Sequence, residues 1–281
     1  MSWNTFTVTS WLHFVEYVAR VGRDRDAFNP ASIWRGQSDA AWKLTTRIQR
    51  EFAPDTSEAT AYAIEKELLK AFQLRAHVYL RDVDLPSQDD IFSWWSLMQH
   101  YGVPTRALDW TESPFVAAYF AVRDHWDRDG AIFVVPGLDL TAHWENEFRD
   151  VPPKSDYREL LMRPDTPRAV IPFYSWRMHA REVAQQGRYT IPTYLLYDLD
   201  AGLPLILGKK QVRIIIPAAM KRPFLVHLRS MNVTAAALFP GLDGLGRTLA
   251  ESASIAGSAP PLAEQGSSTS ARPSTSDSGS S

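Results

Sequence analysis

Two rhythms of apolar and polar positions run along the chain. After Ser10, Trp11, Phe14, Val15 and Val18 fall on one face of a helix. Residues 58–80 place Ile64, Leu68, Phe72 and Leu74 to Val78 near helical spacing and predict the longest helix. Residues 87–102 predict another, opened at Ser87 and stopped at Gly102. Ser113-Pro114 is a helix start, a capping hydroxyl followed by a proline whose missing N–H does no harm in the first turn. Phe115, Ala118, Tyr119 and Val122 then repeat at the helical interval. Further helices are predicted from Lys221 to Met231 and from Leu242 to Ala250, with a short apolar stretch at Ala235 to Phe239. Strand readings fall on Ser32 to Gly36, on the run after Gly130, on parts of Arg188 to Tyr197, and on Val212 to Ile216. Helices thus gather in the first half and strands in the second, which predicts an α+β fold rather than strict βαβ alternation.

The pattern changes at Glu251. Eleven of the last 31 residues are serine, and almost none is large and apolar. Such a segment does not bury enough surface to offset its ordering entropy, so residues 251–281 are expected to be a disordered tail. Residues 1–250 show no internal repeat and no linker and are expected to form one domain.

Charge and composition narrow the classes. The formal net charge is −2, and residues 1–250 hold 29 basic and 29 acidic side chains. A neutral body lacks the basic field that strong non-specific nucleic-acid binding needs. No window approaches eighteen apolar residues without a charge, and the first residues lack a signal-peptide pattern, so a cytoplasmic protein with no membrane partner is expected. The absence of cysteine removes disulfides, thiolate metal sites and cysteine nucleophiles. The seven histidines are scattered without ligand spacing, so no metal is expected. There is no P-loop, no Gly-x-Gly-x-x-Gly fingerprint and no Gly-x-Ser-x-Gly elbow. The glycines at 241, 244 and 246 read as a turn leading into the last helix. Ten tryptophans and ten tyrosines supply a thick core or stacking surfaces for planar ligands.

Three segments carry candidate chemistry. Gln99 to Pro114 packs Gln, His, Tyr, Thr, Arg, Asp and Trp between two predicted helices. This is either a binding loop or a structural loop in which Arg106 and Asp109 pair with each other. Trp34-Arg35-Gly36-Gln37-Ser38 sets an arginine at a strand end beside a glycine. Such an arginine grips a phosphate or carboxylate bidentately, and the glycine admits a ligand to the backbone. Arg181 to Thr190 brings polar residues into a strand through Gly187.

Together these segments resemble the FRG domain family. Trp34-Arg35-Gly36-Gln37-Ser38 stands where the family has its Phe-Arg-Gly-like motif, with Trp for Phe. Trp42, Leu44 and Arg47 look like the residues that follow that motif. Gln99-His100-Tyr101-Gly102-Val103-Pro104-Thr105-Arg106, then Leu108-Asp109-Trp110-Thr111, Ser113-Pro114 and Ala117 to Ala121, look like its long central signature. Gln185 to Thr190 resembles its Gln-Gln-Gly turn, and Leu238 to Gly244 its closing Leu-Phe-Pro segment. The likeness runs from about Ser32 to Leu249.

The resemblance implies a fold distantly similar to ADP-ribosyltransferases: a split, mostly antiparallel sheet with flanking helices around an NAD cleft. NAD would be the substrate, with no metal, and the acceptor would be water, a protein or a nucleic acid. Arg35, Thr111, Glu182 and Gln186 then take the catalytic positions. Gly36, His100, Tyr101, Arg106, Asp109 and Trp110 would bind the nucleotide. Arg35 would hold a phosphate, Asp109 would orient Arg106 or the ribose, and Thr111 would bond the ribose. The turn carries Gln186 where a transferase has Glu, which keeps a hydrogen bond but removes a charge aimed at the transition state. A non-catalytic nucleotide-binding module and a protein-interaction module therefore stay open beside the enzyme. FRG-type proteins also look like components of bacterial defence or toxin systems.

Overall fold

The computed structural model describes residues 2–21, 32–150, 161–163, 166–173, 175 and 178–257. Seven strands, β1 (Asn4–Thr7), β2 (Ser32–Gln37), β3 (Leu108–Thr111), β4 (Gly130–Pro136), β5 (Val170–Phe173), β6 (Gly187–Pro192) and β7 (Val212–Ile216), form one sheet in the order β1-β7-β4-β2-β3-β6-β5. Only β1 and β7 run parallel; the remaining neighbours are antiparallel. The ladder between β2 and β4 runs from Ser32 opposite Pro136 to Gln37 opposite Ala131, whereas β2 meets β3 at the single register pair Trp34 opposite Thr111. The sheet is thus two arms, β1-β7-β4-β2 and β3-β6-β5, hinged at one point. The α+β class and the split, mostly antiparallel sheet are both present.

Among the described residues four apolar clusters are buried, three of them against the sheet. On one face of the first arm, α1 (Trp11–Val21), α5 (Pro114–Val122) and α9 (Ala218–Ser230) bury Phe14, Tyr119 and Phe224 against Trp34, Ile132 and Ile214. On the opposite face, α6 (Gly137–Glu147) and α8 (Leu199–Leu207) cover Ile33, Phe133 and Trp110 with Leu140, Leu199 and Leu203. The second arm packs Ile171, Tyr189 and Ile191 under α3 (Glu58–Ala76) and α4 (Ile91–His100), with Leu69, Trp95 and Met98 filling the layer.

The approach of α5 to the sheet rests on absent side chains. A Cβ on Gly36 would lie 1.9 Å from the Ala117 carbonyl oxygen, and one on Gly130 would lie 2.2 Å from that of Ala121. Ala117, Ala118 and Ala121 are small on the helix side, so backbone packs on backbone. As the sequence predicts, Ser113 caps this helix, its hydroxyl accepting from the Val116 N–H at 3.3 Å, with Pro114 in the first turn.

The structure moves several expected boundaries. The longest helix ends at Ala76, and α4 begins at Ile91, capped by the Asp90 carboxylate rather than by Ser87. α9 begins ahead of Lys221, with Pro223 inside it. The strand reading over Arg188 to Tyr197 survives only as β6, to Pro192. The apolar stretch after Thr234 is the short helix α10 (Ala235–Leu238). The expected crowding of strands into the second half is wrong: four of the seven lie before residue 137. The last helix, α11 (Leu242–Gly257), continues past the expected boundary at residue 250, because Glu251 on it accepts a hydrogen bond from the buried Tyr119 hydroxyl at 2.5 Å. The rest of the expected tail, residues 258–281, lies outside the described residues.

Candidate functional site

The arms part below the Trp34–Thr111 pair, and a cleft of about 390 Å³ opens there. Its volume lies in the range of small-molecule sites. It gathers Arg35 and Gly36 from β2, Leu108 to Thr111 from β3, Gln99 and His100 from the end of α4, and Tyr189 from β6. Arg47 and Arg50 enter from the one-turn helix α2 (Arg47–Arg50). Arg181 and Glu182 come from α7 (Ala180–Ala184) and Gln185 from the turn that follows it.

Asp109 is the exposed carboxylate of this cleft, with 61% of its side chain open to solvent. It is held in place from two sides. The Thr105 hydroxyl donates to Gln99 Oε1 at 2.7 Å, and Gln99 Nε2 donates to Asp109 Oδ1 at 2.6 Å. Arg35 Nη1 donates to the Asp109 carbonyl at 2.7 Å and lies 3.9 Å from Oδ2. Arg35 is itself half-satisfied: its buried Nε has no hydrogen-bond partner among the described residues. Burial lowers the Arg35 pKa, Asp109 opposes that shift, and the Arg50 charge adds to it. Burial likewise lowers that of Arg181, again opposed by Asp109. Both guanidiniums stay protonated at neutral pH, so the cleft holds desolvated cations, the environment in which an anion is bound most strongly.

Glu182 sits deeper and is saturated. It accepts from the Ser96 and Tyr189 hydroxyls through one oxygen, and from the His179 backbone N–H at 2.7 Å through the other. It is the third residue of the helix it caps. Burial, then the Asp109 and Glu182 charges, push the Tyr189 pKa far upward, so its proton stays in this network. His100 stacks on His179 with centroids 4.5 Å apart. Its pKa is lowered by burial first, then by His179 and Arg181, with Glu182 opposing.

Of the ten residues expected at the site, seven line the cleft: Arg35, Gly36, His100, Asp109, Trp110, Thr111 and Glu182. Several of them do something other than expected. Gly36 lines the cleft and also makes room for α5. Trp110 is a core wall, its ring buried and its Nε1 donating to Thr190 Oγ1 at 2.8 Å. The Thr111 hydroxyl is occupied, donating to the Gln185 carbonyl at 2.6 Å and accepting from the Ser113 N–H at 3.0 Å.

Three residues stand apart from the lining. Gln186 occupies the left-handed region at φ 48, and its carbonyl accepts from the Glu112 N–H, so it shapes the turn from α7 into β6 and ties that turn to the end of β3. Tyr101 is exposed at the rim, edge-on to His100. Arg106 is fully buried on the far side of its loop. It pairs bidentately with Glu65, donates to the Thr193 carbonyl at 3.0 Å, and lies 5.0 Å from the Tyr62 and Trp95 ring centroids. Neither an Arg106–Asp109 pair nor a ligand-facing Arg106 exists.

Arg47, Arg50, Arg181 and Gln99 are among the lining residues that sequence reasoning leaves out of the site, with Thr45, Gln185 and Tyr189. Arg47 and Gln99 stand inside quoted motifs, so their positions were visible but not their role. Arg50 carries no signal of its own.

Residues 30–130 match the family model of the FRG domain. No curated protein and no solved structure matches the chain. The matched segment contains Trp34 to Ser38 and Gln99 to Ala121, and with them Arg35, Gln99, His100 and Asp109; the turn at Gln185 and the segment at Leu238 lie beyond it. The match therefore covers the side of the cleft built from β2, α2, α4 and β3, while Arg181, Glu182, Gln185 and Tyr189 lie beyond it.

Proposed function

We propose that the FRG domain binds NAD in the inter-arm cleft and breaks its nicotinamide–ribose bond. The observation that carries this reading is one exposed carboxylate, Asp109, fixed by Gln99 and Arg35 and surrounded by Arg47, Arg50 and Arg181. Arginines that are poor in partners suit a pyrophosphate. A carboxylate held in place suits a sugar that becomes cationic.

In the reaction, the bond between ribose C1′ and the pyridinium nitrogen breaks, and its electron pair stays on nitrogen, so neutral nicotinamide leaves. Asp109 stabilises the positive ribose electrostatically. A water oxygen, or a hydroxyl of a protein or nucleic-acid acceptor, forms the new bond to C1′ and gives its proton to Asp109 or to solvent. Asp109 takes the part that the resemblance assigns to Glu182 and Gln186. Glu182 has both oxygens occupied, and Gln186 lies outside the cleft. In a cell, such turnover would deplete NAD and arrest growth, the form that a toxin or defence role would take.

The saturation of Glu182 also favours a second reading, a nucleotide-binding module without turnover. One assay decides. Purified protein is incubated with NAD while released nicotinamide and melting temperature are followed. Release that is abolished in Arg35→Ala and Asp109→Asn supports the enzyme. A raised melting temperature without release supports the module. If wild type shows neither effect, NAD is not the ligand.

A further inference from the structure

A second compartment, of about 550 Å³, adjoins the cleft. The two share Arg35, Gly36, Thr45, Arg50 and Phe120, so the arginines stand at a waist between them. The far end is built from Trp42, Lys43, Arg123 and His125. Trp42 is 45% exposed, with its indole edge-on to the His125 ring at 5.2 Å between centroids. A large aromatic open to water in a concave site is a platform awaiting a planar group.

The walls are held firmly. His125 has φ 52, a backbone region that a residue with a side chain occupies only when its surroundings enforce it. The buried Lys221 enforces it: Nζ donates to the His125 carbonyl at 2.8 Å, to that of Asp124 at 2.9 Å and to that of Ser38 at 2.6 Å. One ammonium thus ties the two chain segments that form the compartment, and burial lowers its pKa. The donors are incompletely used, since Arg35 Nε at the waist and Arg123 Nη1 at the far end are both buried without a hydrogen-bond partner among the described residues.

We propose that this compartment receives the adenine half of the dinucleotide, with the base stacked on Trp42 and the pyrophosphate held at the waist by Arg35 and Arg50. The inference rests on the reading of the cleft as the nicotinamide–ribose site. It goes further by assigning each half of the ligand to one compartment. Two chambers joined by a cationic waist fit one molecule with two planar ends and a central diphosphate better than they fit a strand. A nucleic-acid strand also needs a continuous basic field, and residues 1–250 balance 29 basic against 29 acidic side chains.

Calorimetric titration with ADP-ribose and with nicotinamide mononucleotide tests the assignment on wild type, Trp42→Ala and Trp42→Phe. Wild type is expected to bind both. Trp42→Ala is expected to weaken ADP-ribose about tenfold, the scale of one base–aromatic stack, and the mononucleotide less than about twofold. Trp42→Phe is expected to recover most of the loss, and the retained mononucleotide affinity shows that the variants are folded. Unchanged ADP-ribose affinity in Trp42→Ala overturns the inference, as does equal weakening of both ligands. A short single-stranded oligonucleotide that binds wild type more tightly than ADP-ribose also overturns it, in favour of a nucleic-acid strand. Failure of the underlying reading looks different: wild type binds neither ligand.

Discussion

Two of the arginine–carboxylate pairs within the matched segment, Arg106–Glu65 and Arg35–Asp109, differ in almost everything except composition. Arg106 and Glu65 are both completely buried, and the guanidinium spends its donors on the carboxylate and on the Thr193 carbonyl between two aromatic rings. Arg35 reaches Asp109 only at 3.9 Å, keeps an unpaired buried Nε, and faces a carboxylate that is 61% exposed. The first pair is closed on itself and braces α3 against β6 and the loop ahead of β3. The second is open and leaves capacity for a ligand. Saturation of the hydrogen-bonding groups, rather than residue type, separates a brace from a site.

The sharpest way to break this comparison is to remove one partner from each pair. Arg106→Ala or Glu65→Ala leaves an uncompensated buried charge and is expected to cost about 3–5 kcal/mol in urea unfolding. Arg35→Ala removes a weak, partly solvated contact and is expected to cost less than about 1 kcal/mol while ADP-ribose binding is lost. Equal destabilisation by Arg35→Ala and Arg106→Ala would make both pairs braces and leave the cleft without its principal anion contact.

Asp109 bears on the open pair alone. Asp109→Asn keeps an acceptor for Gln99 and for the Arg35 side chain but removes the negative charge. Nicotinamide release is expected to fall about 10²–10³-fold, the usual cost of removing one group that stabilises transition-state charge. The melting temperature is expected to hold. A variant with full turnover would return the electrostatic role to Glu182.

Gly36→Ala probes the join between brace and cleft. The new methyl would lie 1.9 Å from the Ala117 carbonyl oxygen, so α5 or β2 must shift. The expected loss is about 1–3 kcal/mol by thermal unfolding, with weakened ligand binding because Arg35 moves with its strand. Unaltered stability would mean that α5 yields without cost and that Gly36 serves the cleft alone.

These contrasts also show where sequence reading works. Ser113-Pro114 fixes the start of α5 because the cap and the proline act within one turn; Arg35 was legible in its own short motif, and His100 and Asp109 in the contiguous run from Gln99 to Pro114. Arg106 was misread because its partner lies 41 residues earlier and on another element. The packing role of Gly36 was not legible because nothing in its neighbours shows that Ala117 will press against it. β1 and β5 are four residues long and too short to display a period. β3 was hidden in a segment whose polar residues read as loop, although its alternation is real: Asp109 is exposed between buried Leu108 and Trp110. Arg50 and Arg181 gain their place only when the fold brings them to the wall of the cleft.

The smallest expected effect concerns His100, which stands between the saturated Glu182 network and the open cleft. Burial, His179 and Arg181 lower its pKa below the ordinary value of 6.5, with Glu182 opposing. Between the unfolded and folded values the unfolded chain binds more protons, so stability falls as the pH falls. The contribution is complete above pH 6.5 and is lost as the pH drops through the folded pKa. Glu251 works in the opposite sense: burial raises its pKa, so its own contribution grows on acidification. Wild-type melting curves therefore mix the two, and the difference between wild type and His100→Gln isolates the imidazole. That difference is expected to be flat above pH 7 and to shrink steadily below pH 6.5, as wild type loses what the variant never had. ADP-ribose places negative charge beside the ring, favours the imidazolium and is expected to reduce the pH dependence. A difference that does not move with ligand would place His100 with the closed network around Glu182, on the brace side of the molecule.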